Sequence, residues 1–503
     1  MMEGSRSRAA AFFQFRMDRV NKAALSVFRG LGVFAFWMWL YPQALNYHEQ
    51  NQLFLYTWDY FRERMALPGG FADWLSEFLV QFFYFRWSGA LVLAILAVLL
   101  QRSVWRAAAC VDRKGSRSLY ALSFLPSLLM LVHMGNMEVL VSYPVALVLS
   151  VSLCPVFARA GWHRLWLIPL VWWLAGPVVI VPVLFSVLLG RKPADGAVLA
   201  YTAVVFLAGA RLLAAQYPMR DALFGLNYTR LREMLPALQV IIPFVTLGCI
   251  FVCGMPFKPL RTAATDWALF AVMALVAAFG VRMAYDRDAY EVLAYDSLIR
   301  HERYQEVVRR AERYQPRTPI SACSVNFSLF MNGQLSSRLT EFYQCGTEGL
   351  VLPSVRDNVS DLTSAELLWM MGMPNITLQY YFDSMESIEN GRLSGRFLSR
   401  MADCNLVNGW YGPAEKYLDI LSHSLFYRRS ALRRKGMVRN EDAVNADPVY
   451  AYVRSVRFRD DFITGYDRLD LMMAVLYNQN GNNFMAAEYY NVWQRLKQME
   501  GTR

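Results

Sequence analysis

Strongly apolar, Trp-rich stretches run through this chain as far as Met283 and then stop; from Ala284 onward the sequence is polar and keeps a helical periodicity. A helix needs ~20 apolar residues to cross a bilayer. The change at Ala284 therefore predicts a membrane-spanning half followed by a soluble half. With 55% hydrophobic residues and a mean hydropathy of +0.22, the 503-residue chain is too apolar for an ordinary soluble protein.

The apolar segments are 23–41, 88–100, 119–134, 139–157, 165–189, 197–215, 235–255 and 267–283. Several are shorter than one full crossing, which neighbouring helices or local thinning must offset. Segment 165–189 carries Ala175-Gly176-Pro177 at its centre and sets the orientation of everything after it. As one kinked span it gives eight crossings and a cytoplasmic carboxyl terminus. As two short helices turning at Gly176-Pro177 it gives nine and a terminus outside. Length favours one span. The flanking charges divide almost evenly, with Arg191, Lys192, Lys258 and Arg261 against Arg220, Arg230 and Arg232. Short broken helices are tolerated where they line a protein cavity, and the reading leans to nine.

The formal net charge of +11 is concentrated near the ends of apolar spans. Arg6, Arg8, Arg16, Arg19 and Lys22 precede the first span, and Arg102, Arg106, Arg113, Lys114 and Arg117 follow the second. Basic loops resist translocation, so the amino terminus is expected in the cytoplasm. Charges that flank spans instead of forming one stripe argue against nucleic acid as a partner. Seven scattered cysteines, without CxxC pairs or histidines at ligand spacing, give no metal site. The first span has no small-residue cleavage site and is read as a retained anchor.

The expected organisation is a basic tail (1–22), a transmembrane domain (23–284) with an amphipathic outer loop (43–86), and a helical domain (285–503) with a polar insertion at 428–462. In the outer loop, a helix from His48 would place Phe54, Trp58, Phe61 and Met65 on one face. After Pro68-Gly69-Gly70, a second helix would put Phe71, Trp74, Leu75, Phe78, Leu79 and Phe82 on one side and Asp73, Glu77 and Gln81 on the wet side. Both are expected to lie on the membrane surface. A partly desolvated carboxylate beside a bilayer has a raised pKa and suits a general base, which singles out Glu49 and Asp59. The plainer reading makes them the wet face of a helix. Glu138, in the turn 135–138 between two spans, is a further candidate for substrate binding.

Beyond Asp288, pairs of short helices recur, and the last two pairs share a turn pattern. Asn408-Gly409-Trp410-Tyr411-Gly412-Pro413-Ala414 parallels Asn480-Gly481-Asn482-Asn483-Phe484-Met485-Ala486, with Tyr417 and Tyr489 following. This resembles the tetratricopeptide repeat, whose small residues let paired helices approach and whose aromatics fill the gaps. Stacked pairs of that kind form a surface for a protein partner. No Ser-His-Asp order, P-loop, dinucleotide glycine pattern or zinc motif occurs, so no cofactor is indicated.

His48-Glu49-Gln50-Asn51-Gln52-Leu53-Phe54, Pro68-Gly69-Gly70, Asn405-Leu406-Val407-Asn408-Gly409 and Glu415-Lys416-Tyr417-Leu418 together resemble an uncharacterised bacterial family of multi-pass membrane proteins with a repeat-containing carboxyl terminus. That resemblance implies the bacterial inner membrane, with the lipid bilayer as partner and the helical domain in the periplasm. The loop also looks like that of GT-C membrane glycosyltransferases, which use lipid-linked sugar donors. There the resemblance implies Glu49 or Asp59 as the base that activates the acceptor, with Arg62 or Arg64 near the donor phosphate. Of an envelope scaffold and a transferase, the scaffold is favoured, because repeats are visible and a catalytic constellation is not.

Overall fold

The computed structural model describes residues 22–112, 119–190, 195–231, 235–255, 263–458 and 468–501. Over these the protein is all-α, as expected. It divides into two compact units: Met1–His48 with Thr57–Tyr285, and Glu49–Tyr56 with Asp286–Arg503.

In the first unit, α1 (Lys22–Leu40) leads to α2 (Pro42–Gln50), α3 (Trp58–Met65) and α4 (Gly70–Val80). Then come α5 (Arg86–Val111), α6 (Tyr120–Met134, opening as a 3-10 turn), α7 (Ser142–Arg159), α8 (Arg164–Ala175), α9 (Ile180–Gly190), α10 (Asp195–Leu213), α11 (Met219–Phe224), α12 (Ala237–Gly254) and α13 (Ala263–Ala284). Among the described residues six helices are long and apolar enough to cross a membrane, with Gly161–Gly190 taken as one, against the eight or nine spans expected. Tyr120–Met134 falls short in length, and Ala268–Met283 reaches the threshold only when the helix after it is counted too.

Contacts order these helices between two ends. At the Lys22 end, Ser26 bonds Tyr120 (2.7 Å), Cys253 Sγ donates to the Leu119 carbonyl (3.6 Å), and Arg164 pairs with Asp195. At the opposite, loop end, Tyr47 reaches Glu138 (2.9 Å), Val139 bridges Thr229, and Tyr143 donates to the Gln239 carbonyl (3.0 Å). Asp195 decides the path of segment 165–189. Its carboxylate pairs with Arg164 at the start of α8 and lies beside Gly190 at the close of α9. Both ends of that segment therefore lie at the Lys22 end, and α8 and α9 form a hairpin. Each arm is roughly 16–18 Å long at 1.5 Å per residue.

Gly176 makes the turn. Its backbone, at φ 77° and ψ −157°, occupies a region essentially reserved for glycine. An added Cβ would lie 2.7 Å from the Tyr228 hydroxyl, which donates to the Ala175 carbonyl. Gly69, at φ +78°, packs its backbone on Gly176 and donates its N–H to the Trp173 carbonyl at 2.8 Å. Two glycines thus let the outer loop cap α8.

The second unit runs through α14 (Arg287–Arg300), α15 (Tyr304–Arg313), α16 (Pro319–Met331), α17 (Leu335–Arg338), α18 (Leu362–Met370), α19 (Pro374–Glu386), α20 (Gly395–Asn408) and α21 (Tyr411–Ser422). It continues with α22 (Arg428–Lys435), α23 (Glu441–Ala446), α24 (Pro448–Val456), α25 (Leu469–Gln479) and α26 (Phe484–Gly501). Side-chain caps start several of these: Asp286 for α14, Thr318 with Pro319 for α16, Ser394 for α20 and Asp447 with Pro448 for α24. Gly409, at φ 76°, ends α20 in the left-handed conformation.

Helix α20 is buried nearly all round and feeds three apolar clusters through Phe397 and Met401, Cys404 and Leu406, and Leu398 and Ala402. The last pair departs from a linear array. Tyr489 and Met473 join the core of α16 to α19, Glu488 binds Ser336 (2.8 Å), and Asn483 donates to the Met371 carbonyl (2.9 Å). The expected polar insertion at 428–462 is folded through residue 456. Ala431, Val444 and Val453 are buried there, and Arg434 binds Asp403 at 2.6 Å. Residues 459–462 lie outside the described residues.

Gly176→Ala is expected to cost roughly 1–3 kcal/mol from backbone strain, read as a lower thermal unfolding midpoint of the purified protein. An unchanged midpoint would remove Gly176 as the required turn.

Candidate functional site

The outer loop inverts the expected faces. The helix that starts in α2 stops at Gln50, residues 52–57 form no regular secondary structure, and α3 begins only at Trp58, where Thr57 accepts the Tyr60 N–H at 3.3 Å. Phe54 therefore shares no helical face with Trp58. On α4 the aromatic ladder forms as expected, with ring centroids of Phe71–Trp74 at 6.1 Å, Trp74–Phe78 at 6.4 Å and Phe78–Phe82 at 5.6 Å. These rings are half-buried, whereas Asp73 and Glu77, expected on the wet side, are buried. Glu77 pairs with Arg64 (2.9 Å) and accepts from the Tyr60 hydroxyl. The carboxylates face inward because Arg64 supplies the countercharge there.

The five residues proposed from sequence do not converge. Asp59 is 94% exposed with Arg62, at 68%, its neighbour at 3.9 Å. Arg64 is buried against Glu77, and Glu138 lies in the loop-end cluster described below. Glu49 belongs to the second unit, where it is 5% exposed with both oxygens engaged. Arg300 donates from Nη1 to Oε2 at 3.1 Å, and Tyr427 donates its hydroxyl to Oε1 at 2.6 Å. Arg300 also reaches the same Tyr427 oxygen at 3.0 Å. Gly395 permits this arrangement, since a Cβ there would lie 2.4 Å from the Tyr427 ring.

The rest of Glu49–Tyr56 is held as firmly within that unit. Gln50 donates to the Asn358 carbonyl (3.0 Å) and accepts from Arg396 (2.7 Å), which also forms a two-pronged pair with Asp296 at 2.7 and 2.8 Å. Leu53 enters the cluster of Leu398, Leu418 and Leu421, and its N–H donates to the Leu393 carbonyl (2.8 Å). The Tyr56 N–H donates to the His423 carbonyl (2.8 Å). Farther along α20, Arg400 pairs with Glu366 (2.6 Å), and Asp403 takes Arg434 and the Tyr450 hydroxyl, each at 2.6 Å. Burial works against ionisation of Glu366, yet the Arg400 and Arg396 guanidiniums hold its carboxyl below the usual range. Sequence reasoning missed Arg300, Asp296 and Arg396. The spacing of Arg396, Arg400 and Asp403 by four and three on a mostly apolar helix was a usable signal, because such charges need buried partners.

At the loop end of the first unit, three segments meet. Glu138 accepts from Tyr47 (2.9 Å) and lies 3.6 Å from Arg230, whose guanidinium stacks 5.0 Å from the Tyr47 ring. The main chain fixes this pairing. The Arg230 N–H donates to the Glu138 carbonyl (2.7 Å), and the Leu140 N–H to the Tyr228 carbonyl (2.9 Å). His48 sits buried beside Arg230 with neither ring nitrogen hydrogen-bonded. Burial, helped by the Arg230 charge, pushes its pKa down to about 3 and keeps the ring neutral.

Among the described residues no group of three His, Cys, Asp or Glu side chains could hold a metal ion. The cleft next to Thr229 and Gln239 has a cavity volume of only about 10 Å³, far below that of a small-molecule site. The acids of both clusters are engaged by cations or hydroxyls. The class defined is an all-helical protein pairing an apolar helix bundle with a polar helical unit. The chain belongs to a family of unknown function, DUF6057, whose model matches residues 19–498. Neither a curated protein nor a solved structure matches it.

Arg300→Met strands a buried carboxylate and is expected to cost about 3–5 kcal/mol, whereas Glu49→Gln, which keeps hydrogen-bonding groups in place, costs less. Thermal unfolding of the two variants compares them, and equal losses would refute the ion-pair role. His48 binds a proton more readily when unfolded than folded. Its contribution is fully present above pH 6.5 and is lost as pH falls toward 3, at up to about 1.4 kcal/mol per pH unit. Stability measured from pH 7 to 4 should decline less in His48→Leu, and parallel curves would contradict the assignment.

Proposed function

We propose that the protein is a polytopic membrane protein of the bacterial inner membrane whose second unit, on the periplasmic face, scaffolds a protein interaction. The observation that carries this reading is the membership of Glu49–Tyr56 in the second unit. These residues close the short α2 that follows α1 and continue past it, and a bilayer cannot part them from the helices that bury them. The carboxyl-terminal unit therefore shares a side with the first outer loop.

The bundle supports the same parity. From the loop end, α5, α6, α7, α8, α9, α10, α12 and α13 carry the chain across and back an even number of times. This is the nine-pass arrangement, in which α8 and α9 are too short for full crossings and meet the outer loop at Gly69 and Gly176. Exposed apolar rows such as Leu91, Ile95 and Leu99 on α5, or Val272, Val276 and Phe279 on α13, belong against lipid. Trp39 and Trp87 at the loop end, with Trp162 and Trp166 at the other, match two interfacial belts. The basic amino-terminal residues put the Lys22 end in the cytoplasm.

For the second unit, the turns at Gly409 and Gly481 keep the likeness to tetratricopeptide pairs, while the return of α25 and α26 onto α16 to α19 makes the array closed. Leu471 and Val475, one turn apart on α25, and Phe484 at the start of α26 are exposed and suited to a protein partner. The transferase alternative, with a lipid-linked sugar, is weakened because Glu49 is tied to Arg300 and Tyr427 and Asp59 is nearly free in solvent.

Fusing reporters to Arg503 tests the orientation. A reporter active only in the periplasm is expected to score. Activity of a cytoplasm-only reporter would overturn the proposal.

A further inference from the structure

Arg29 sits in the middle of the apolar helix α1 and is 7% exposed. Its Nη1 donates to Ser127 (2.6 Å) and to the Phe124 carbonyl (3.2 Å), and the guanidinium lies 5.0 Å from the Phe124 ring. Its Nη2 has no hydrogen-bond partner, and among the described residues no carboxylate pairs with it. An ionised side chain within a membrane-spanning segment is costly unless paired, and persists for a reason.

The surroundings are polar where an apolar bundle would ordinarily be oily. Ser26 bonds Tyr120 (2.7 Å) and donates to Gln101 (2.9 Å), while Gln101 donates to Ser123 (2.8 Å). Tyr120 donates to the Lys22 carbonyl (2.9 Å), and the Lys22 ammonium stands 5.4 Å from the Trp105 ring. These groups form a file from the Lys22 end of the bundle inward to Arg29, with a narrow cleft beside it lined by Ser26, Gly30, Val33, Ala97 and Val98. Phe124 lies four residues into α6, roughly 8 Å at the 3-10 rise. Side chains on a helix lean toward its amino terminus, which points Arg29 toward that same end. The guanidinium is thus within reach of the headgroup level on the side that carries the basic tail.

We infer that Arg29, with Lys22 and the hydroxyls of Ser26 and Ser127, forms a binding site for one phosphate group at the cytoplasmic side of the bundle. The phosphate is that of an anionic phospholipid or a free phosphate ion. Arg suits it because its planar fork offers more than one donor to phosphate oxygens, and the donor left over is the one phosphate would take. Basic pockets between transmembrane helices on the cytoplasmic side are a known means of holding anionic headgroups. The inference rests on the membrane-spanning reading of the first unit.

The test uses the full chain. Flotation with phosphatidylcholine vesicles comes first; failure to float would sink the membrane reading itself and leave the two ideas separable. Thermal unfolding is then compared in phosphatidylcholine nanodiscs, in nanodiscs containing phosphatidylglycerol, and in phosphatidylcholine nanodiscs with inorganic phosphate. The wild type is expected to gain about 2–4 °C from phosphatidylglycerol. Arg29→Lys should keep part of that gain and Arg29→Met none. Because Arg29→Met removes an unpaired buried cation, it should unfold no earlier than wild type in phosphatidylcholine alone, so it remains a fair comparison. The same gain with inorganic phosphate alone supports the site with the free ion as its occupant. No gain from either probe, or an equal gain in Arg29→Met, overturns the inference.

Discussion

A carboxylate removed from water needs a cation and hydrogen-bond donors close by, and the second unit depends on how Glu49 meets that need. Its cation, Arg300, comes 251 residues later, and its second donor, Tyr427, comes from α22's approach. With Gln50 held by Arg396 and Asn358, and Leu53 closing an apolar cluster, eight residues of an early loop become part of a late domain. Several distant segments must be in place before any one of these contacts is complete. This makes the assembly cooperative and explains why a charged residue is worth burying there.

The first unit follows a complementary logic. Rows of its aliphatic residues are exposed while some of its charges are buried in pairs, as Arg64 and Glu77 beneath the α4 aromatic ladder illustrate. The short hairpin of α8 and α9 is likewise fixed by close contacts. Its broken backbone at Gly176 is held by the packing of Gly69 and by the Tyr228 hydroxyl, which donates to the Ala175 carbonyl.

The all-α class, the apolar segments and the turn at Gly176 were legible because each is local. Helical periodicity, hydropathy and glycine chemistry act within a turn or two of the chain. The candidate site was less legible. Glu49 was singled out as a candidate base, or else as part of a wet helix face, and both readings left its carboxylate available where Arg300 and Tyr427 engage it. Asp73 and Glu77 were placed on a wet face because amphipathic patterns are normally read against water. Arg230 was counted only for membrane orientation, yet it pairs with Glu138 across a bridge formed by residues far apart in sequence.

By itself the sequence determined that the chain is helical, that its first half is apolar enough for a bilayer and its second is not, and that the division comes near Ala284. These follow from residue type and short-range spacing. Only the tertiary structure decided that Glu49–Tyr56 belongs with the second unit, that α8 and α9 turn back on themselves, and that Asp73 and Glu77 of the outer loop face inward. Those outcomes depend on which distant arginine, tyrosine or glycine comes within a few ångströms, and electrostatic pairing at that range carries no signature in local sequence.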